Sequence, residues 1–392
     1  MSDNGGRTRR ELLADAAKAA AAASVAGIAS CFPDVGGHWP QCTETDAGVT
    51  STGAPQAVTP AVVEVYRPES VGSVAAHFAI QADVVPGMLD AGLAAFASQV
   101  KSFNNGAADG GTGSAGAGAP GQDSSVDNPW KILLPNYKSG QTIGLKVNCL
   151  GKVATSPALV SALIASLRDN LGLDPTKDII VWDRYLSDIT SHGKYTSDHV
   201  AGAKIRGNLT QGLSTGDKEA DFVDGGYGNA PCQAPQSLKG NYPRLAKILT
   251  DLTVITINCP VFKRHSESGF TGALKNVYGM FDIPGEYHKP ALLTSMPEIY
   301  ALPAIRNSIS LTIVDALNAV ITGDTQDGVD AGPGRLLIGQ DPVALDSYGW
   351  DLLGQLRVAM SLPADDPTVP AAWLAHAEKI SLGSKTYSLV KA

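Results

Sequence analysis

The sequence predicts an α/β fold: a mainly parallel, doubly wound sheet with flanking helices. Three observations carry that expectation. From about residue 140, short apolar runs alternate with stretches of helical periodicity, the pattern of strand–helix units. Asp178 to Asp183 (DIIVWD) is apolar without alternation, as a strand covered on both faces is. With 392 residues, 44% of them hydrophobic, the chain can bury a large core.

The N-terminal segment reads as an address rather than as part of the fold. Thr8-Arg9-Arg10-Glu11-Leu12-Leu13 places paired arginines before apolar residues, and an Ala-rich stretch from Ala14 to Ser30 follows. That is the layout of an export signal, and paired arginines mark its twin-arginine form. Ile28-Ala29-Ser30-Cys31 resembles a lipoprotein cleavage box, with Cys31 as the lipidation site. The alternative is a cut at a nearby small residue, with Cys31 an ordinary cysteine. The expected partners are then the twin-arginine export machinery and a membrane reached through the lipid anchor. The expected location is the periplasm or cell envelope. Residues 1–30 form the signal, 31–60 a flexible tether rich in Pro, Gly, Thr and Ser, and 61–392 one α/β domain. Residues 103–127, dominated by Gly, Ala, Ser and Asp, hold too few large apolar groups to offset their ordering entropy and read as a disordered insertion. No apolar run is long enough for a transmembrane helix. The formal charge of −8 leaves no basic excess, so a nucleic-acid partner is not expected.

Within the domain, Val62 to Tyr66 is a short strand and residues 84–102 an amphipathic helix, with Met88, Leu89, Leu93, Phe96 and Val100 near helical spacing. Thr142 to Leu150 is a strand. Pro157 to Leu171 is a helix, with Pro157 in its first turn and Ser156 or Thr155 as cap. After the Asp178 to Asp183 strand, residues 185–240 are polar and irregular. Then follow a helix over Tyr242 to Leu252, a strand over Val254 to Cys259, and helices over Thr271 to Met280 and Met296 to Ser308. Strands over Ser310 to Asp315 and Arg335 to Ile338 and helices over Pro342 to Leu356 and Ala371 to Ile380 complete the pattern.

Ligands of such sheets sit beyond the carboxyl ends of the strands, so the polar strand ends are the candidate site. Lys146-Val147-Asn148-Cys149 and Ile257-Asn258-Cys259-Pro260 resemble each other. If the strands are neighbours, Cys149 and Cys259 meet at similar height. They would form a disulfide, share a metal, or sit as inert thiols. Apart from Cys31 the chain has Cys42, Cys149, Cys232 and Cys259: the number an iron–sulfur cluster or closed zinc site needs, but without a CxxC pair. Lys263 to Gly279 (KRHSESGFTGALKNVYG) concentrates Lys263, Arg264, His265 and Lys275 around a Gly-containing turn. There Gly269 and Gly272 allow close backbone approach to a ligand, and Thr271 caps a helix whose N-terminus attracts an anion. Asp183 and Asp315 end apolar strands, where a carboxylate needs a partner. His288 is a reserve candidate; His192 and His199 read as surface residues.

The runs Gly144 to Asn148 (GLKVN), Asn258 to Gly279, Leu311 to Ala316 (LTIVDA) and Asp341 to Asp346 (DPVALD) resemble, in this order, the domain-of-unknown-function 362 family, over roughly residues 60–356. The resemblance implies an α/β domain and a shared site at Lys146, Asn148, Lys263, His265, Thr271, Lys275, Asn276, Asp315, Asp341 and Asp346, without assigning roles. Some family members carry ferredoxin-like cysteine motifs, whereas this chain has no CxxCxxC run. The expectation is therefore an exported enzyme or redox protein acting on a small anionic ligand, possessing or lacking an iron–sulfur cluster or divalent metal at Cys149 and Cys259. Lys146, Lys263 and Lys275 would hold the ligand, His265 would be the general acid/base or a metal ligand, and Asp183 and Asp315 would orient it. Asn148, Thr271, Asn276, Asp341 and Asp346 would complete the binding site. The alternative is a lipid-tethered, non-catalytic binding protein for the same class of ligand.

Overall fold

The computed structural model describes residues 59–108, 126–209, 222–224, 243–288, 291–324 and 326–392. The twin-arginine segment, Cys31, the tether up to residue 58, Cys42 and Cys232 lie outside the described residues, as do 109–125 of the Gly-rich segment.

Five apolar runs form the middle of the sheet. In order across it lie β11 (Arg335–Gly339), β10 (Ile309–Val320), β7 (Ile255–Cys259), β2 (Ile143–Val147) and β3 (Ile179–Tyr185). The edges are β4 (Lys204–Leu209) on one side, and β1 (Ala61–Tyr66) followed by β12 (Ser388–Lys391) on the other. From β10 through β4 every pairing is parallel, and β1 is also parallel to β12. Strand β11 runs antiparallel to both its neighbours. The architecture is thus an α/β fold with a mixed, mostly parallel sheet.

Helices cover both faces because the side chains of these strands alternate between two cores. Leu145, Val147, Ile257 and Cys259 face one core, shared with α1 (Val85–Ala108), α2 (Pro129–Leu133) and α3 (Pro157–Leu171). Ile180 and Trp182 face the other, together with α6 (Leu292–Tyr300) and α8 (Thr368–Lys379). A third cluster joins β1, β10 and β11 to α7 (Pro342–Ala359). Helix α3 starts as its sequence dictates: Ser156 Oγ accepts from Leu159 N at 3.2 Å, Pro157 is the first helical residue, and Gly172 closes the helix at φ 69°.

Several expectations change, among them the helix over Met296 to Ser308, which starts at Leu292 and ends at Tyr300 before a separate turn, Pro303–Arg306. Helix α1 continues past residue 103 to Ala108. The segment over 185–240, read as irregular, supplies α4 (Leu186–Ser191), edge strand β4 and the short β5 (Phe222–Asp224). In place of the helix expected over 242–252, β6 (Arg244–Ala246) pairs with β5, and only Ile248–Leu252 is helical. Strand β10 extends well beyond Asp315, because Pro260 splits one long partner strand into β7 and β8 (Val261–His265) and β10 pairs with both. Strand β8 then turns back into β9 (Gly269–Thr271), which leads to a single helical turn, α5 (Ala273–Asn276). Among the described residues no helix is long and apolar enough to cross a membrane.

Candidate functional site

The carboxyl ends of β2, β3 and β8, capped by α5 and the turns after it, enclose a cavity of about 280 Å³. Strand alternation sets its floor. Lys146 lies level with Trp182 on β3 and Asn258 on β7, all on the same face. The β2–β7 register is therefore offset by two residues from the one the repeated Asn-Cys motif suggests: Val147, not Cys149, is opposite Cys259. Cys149 sits about 7 Å further along. Both cysteines are fully buried and free, on the core side of the sheet. Burial raises both thiol pKa values, so both stay protonated, and for Cys149 the Asp183 charge adds to this. Two such thiols do not make a cluster site. Among the described residues no group of three or more His, Cys, Asp or Glu side chains is placed to hold a metal ion.

Lys146 is fully buried, and its Nζ donates to Asp183 Oδ1 at 2.8 Å and to Val147 O at 2.7 Å. The other carboxylate oxygen of Asp183 accepts from Cys149 N at 2.6 Å, and Arg184 N donates to Oδ1 at 2.7 Å, so this buried anion is fully coordinated. Gly279 lets the turn Val277–Met280 close over the pair: a Cβ there would come within 2.7 Å of both Asp183 Oδ1 and Lys146 Nζ. Asn276 ties the floor together, its Oδ1 accepting from Asn148 Nδ2 at 3.2 Å and its Nδ2 donating to Asn258 Oδ1 at 2.7 Å.

Lys275 leaves the same helical turn on the cavity wall. Its Nζ lies 2.8 Å from His288 Nε2 and 3.6 Å from the centre of the Tyr278 ring. His288 Nδ1 lies 2.8 Å from Pro284 O, an acceptor only, so Nδ1 carries the hydrogen and Nε2 accepts from Lys275. Burial lowers the Lys275 pKa to about 7, against a smaller opposing effect of the Glu267 carboxylate. Burial and the Lys275 charge also lower the pKa of His288. The His265 ring stacks on His288 with centroids 6.2 Å apart, and its Nδ1 accepts from the backbone N–H groups of Glu267 (3.0 Å) and Ser268 (3.3 Å). Arg184, Tyr185, Asp188, Thr271 and Leu150 complete the wall, and Leu150, 50% exposed, stands where the cavity meets solvent. Two buried wall atoms, Arg184 Nε and Thr271 Oγ1, have no hydrogen-bond partner within the described protein.

The structure thus brings together Lys146, Asn148, Asp183, His265, Thr271, Lys275 and Asn276. It places four other expected site residues elsewhere. Lys263 is fully buried, and its Nζ is taken up by Leu150 O at 2.6 Å and Asn148 Oδ1 at 3.2 Å; it braces the floor from beneath, and burial lowers its pKa to about 8. Asp315, on β10, accepts from Ser156 N at 2.7 Å and Leu317 N at 3.0 Å and so secures the start of α3. Asp341 is the N-cap of α7, accepting from Val343 N at 2.8 Å and Ala344 N at 2.9 Å. Asp346 accepts from Ala273 N at 2.6 Å and Leu274 N at 2.9 Å. The N-terminus of α5, expected to attract a ligand anion with Thr271 as its cap, is filled by the chain's own carboxylate. Gly272 makes room for Asp346, and Gly269, at φ 77°, for Pro370 and Trp350, so neither glycine serves a ligand. The wall residues Arg184, Tyr185, Asp188 and Tyr278 carry no distinguishing motif; only the Asp183-Arg184 strand end pointed toward one of them.

The family described as "Domain of unknown function (DUF362)" matches residues 143–351, more than half of the chain. The chain belongs to the DUF362 family. Every residue on the cavity wall, from Lys146 to His288, lies inside that span. No curated protein matches. Among solved structures, a Thermotoga maritima protein determined by a structural genomics consortium is similar, at 11% sequence identity and a TM-score of 0.35. That similarity covers 57% of this chain and 56% of the other, so the chain spans little more than half the length of the structure it matches.

Proposed function

We propose that this DUF362 protein is an enzyme whose strand-end cavity holds a small anionic ligand and moves a proton on it through Lys275 and His288. The observation that carries this reading is the 2.8 Å Lys275–His288 contact on the wall of a cavity that reaches solvent at Leu150. An amine with a pKa of about 7 is available as a base and, once protonated, as an acid at neutral pH. His265, stacked on His288, supports the pair. Lys146 is committed to Asp183, so the ligand's charge falls to Arg184, whose buried Nε and the nearby hydroxyl of Thr271 are the groups a polar ligand would satisfy.

A thermal-shift panel of small carboxylates and phosphates on the full chain tests this. At least one should raise the melting temperature, and Arg184→Gln should abolish the effect. No shift with any of them overturns the proposal. A ligand that binds Lys275→Met as tightly as wild type, with no chemistry on it by wild type, would reduce the site to capture alone.

We extend the proposal to location: the folded domain leaves the cytoplasm by the twin-arginine route and is anchored through Cys31. The sequence Arg9-Arg10 before an Ala-rich stretch ending at Cys31 supports it. Arg9→Lys with Arg10→Lys should retain the protein in the cytoplasm, and Cys31→Ala should remove labelling by a fatty-acid probe. Unchanged fractionation and labelling would refute both.

A further inference from the structure

We propose that Lys275 is an amine nucleophile that forms a Schiff base with the carbonyl group of a small aldehyde or ketone seated in the strand-end cavity. The inference rests on reading that cavity as a ligand site and names the substrate class it takes.

Three features of the geometry converge on Lys275. First, its amine is on the cavity wall rather than locked in the floor. Lys146 and Lys263, the other buried lysines among the described residues, spend their Nζ on a carboxylate and on carbonyl or amide oxygens. Lys275 instead meets an imidazole nitrogen and the face of Tyr278. Second, the position is apolar enough to favour the neutral amine, which is the nucleophilic form. Third, its neighbour is a proton acceptor of fixed tautomer. His288 Nδ1–H is held by Pro284 O, which leaves the Nε2 lone pair on the Lys275 amine.

The step balances with these groups. The Lys275 Nζ lone pair adds to the carbonyl carbon, and the C=O π electrons move to oxygen. His288 Nε2 takes a proton from the nitrogen and returns it to the oxygen, giving a neutral carbinolamine. The remaining nitrogen proton follows by the same relay as the C–O bond breaks. The products are a C=N bond to Lys275 and one water, with no oxidant or reductant consumed. A proton from solvent then converts the imine to the iminium ion. The anionic group of a 2-oxo acid would sit toward Arg184 and the Thr271 hydroxyl, which line the same cavity.

The test is reductive trapping. The full chain is incubated with glyoxylate or pyruvate and sodium cyanoborohydride, and the modified lysines are located by peptide mass spectrometry. Lys275 should be modified at least tenfold faster than any other lysine, His288→Asn should slow that labelling tenfold or more, and Lys275→Arg should abolish it. Because site mapping needs only the wild-type chain, a variant that fails to fold does not decide the outcome. Adducts spread over exposed lysines with Lys275 unfavoured would overturn the Schiff base. Malonate, which has no ketone or aldehyde, separates the two readings. A thermal shift with malonate but no adduct at Lys275 removes the nucleophile and leaves the ligand site. No shift with malonate or either 2-oxo acid, and no adduct, removes both.

Discussion

Replacing Lys275 by Met should change how stability depends on pH. Burial takes this amine from its ordinary 10.5 to about 7 in the folded protein. Below pH 7 both folded and unfolded chains hold the proton, and the folded chain bears the full cost of a buried ammonium. Between 7 and 10.5 the unfolded chain binds a proton that the folded chain has released, so stability rises with pH. The slope is about 1.4 kcal/mol per pH unit, and the whole span corresponds to about 5 kcal/mol. Across pH 7 to 9, wild type should therefore gain about 2 kcal/mol relative to Lys275→Met, since the slope at pH 7 is only half its full value. Lys275 meets His288 and Tyr278 on following turns and feels the charge of Glu267 in the β8–β9 hairpin, whose His265 stacks on His288, and all are retained in the variant. Urea titrations of both proteins at pH 6, 7, 8 and 9 measure the difference. Two parallel stability curves would refute the depressed Lys275 pKa and, with it, the neutral amine on which the chemistry depends.

Three further outcomes follow from the same geometry. Lys146→Met leaves Asp183 charged and buried without its cation and should cost about 3–5 kcal/mol by chemical denaturation, with much of the loss recovered when Asp183→Asn is added; additive losses would show the pair to be solvated. Asp341→Ala removes the side chain that caps α7 through two backbone N–H groups and should cost about 0.5–2 kcal/mol by thermal melting, without altering ligand binding in the cavity. Gly272→Ala forces a methyl to within 2.1 Å of Asp346 Oδ1 and should destabilise by about 1–3 kcal/mol while weakening ligand binding, because α5 carries Lys275 and Asn276; a variant as stable as wild type would mean that Asp346 moves freely.

The parts of the fold most legible in the sequence were those where one physical signal dominates. The cap and proline of α3 fixed its start, and the DIIVWD run marked β3 as a central strand. The segment over 204–209 carries no strand signal of its own, because β4 is an edge strand of mixed polarity, KIRGNL, whose place comes from pairing with β3. The stretch from β6 into Ile248–Leu252 has a pattern that fits one helix as well as a strand and a turn, since an apolar stretch of that length suits either form. Around the cavity the structure gathers Lys146, Asn148, Asp183 and His265 from the polar strand ends, Thr271 and Lys275 from the Lys263–Gly279 run, and Asn276, to which only the family resemblance pointed. What sequence could not separate was a carboxylate facing a ligand from one facing the chain itself. Asp315, Asp341 and Asp346 look like site residues in the motifs, yet each has its carboxylate on backbone N–H groups of the chain itself, at least one of them at the start of a helix. Register was equally hidden: the twin Asn-Cys motifs suggested level cysteines, and a two-residue stagger put Lys146 beside Asn258 instead.

The position of β1 bears on the order of synthesis. This strand, made first among those of the sheet, is bounded by β11 and β12: Val63 stands opposite Ile338 on one side and Val390 on the other. A chain still growing on a ribosome has no seat for β1 until roughly 270 further residues have emerged, since contacts so remote in sequence carry the largest loop-closure entropy. The domain cannot be completed piecemeal from its N-terminus. Its edge closes only after translation has passed β11, so any carrier moving this chain during synthesis would handle an open sheet, and one acting afterwards would handle a closed one.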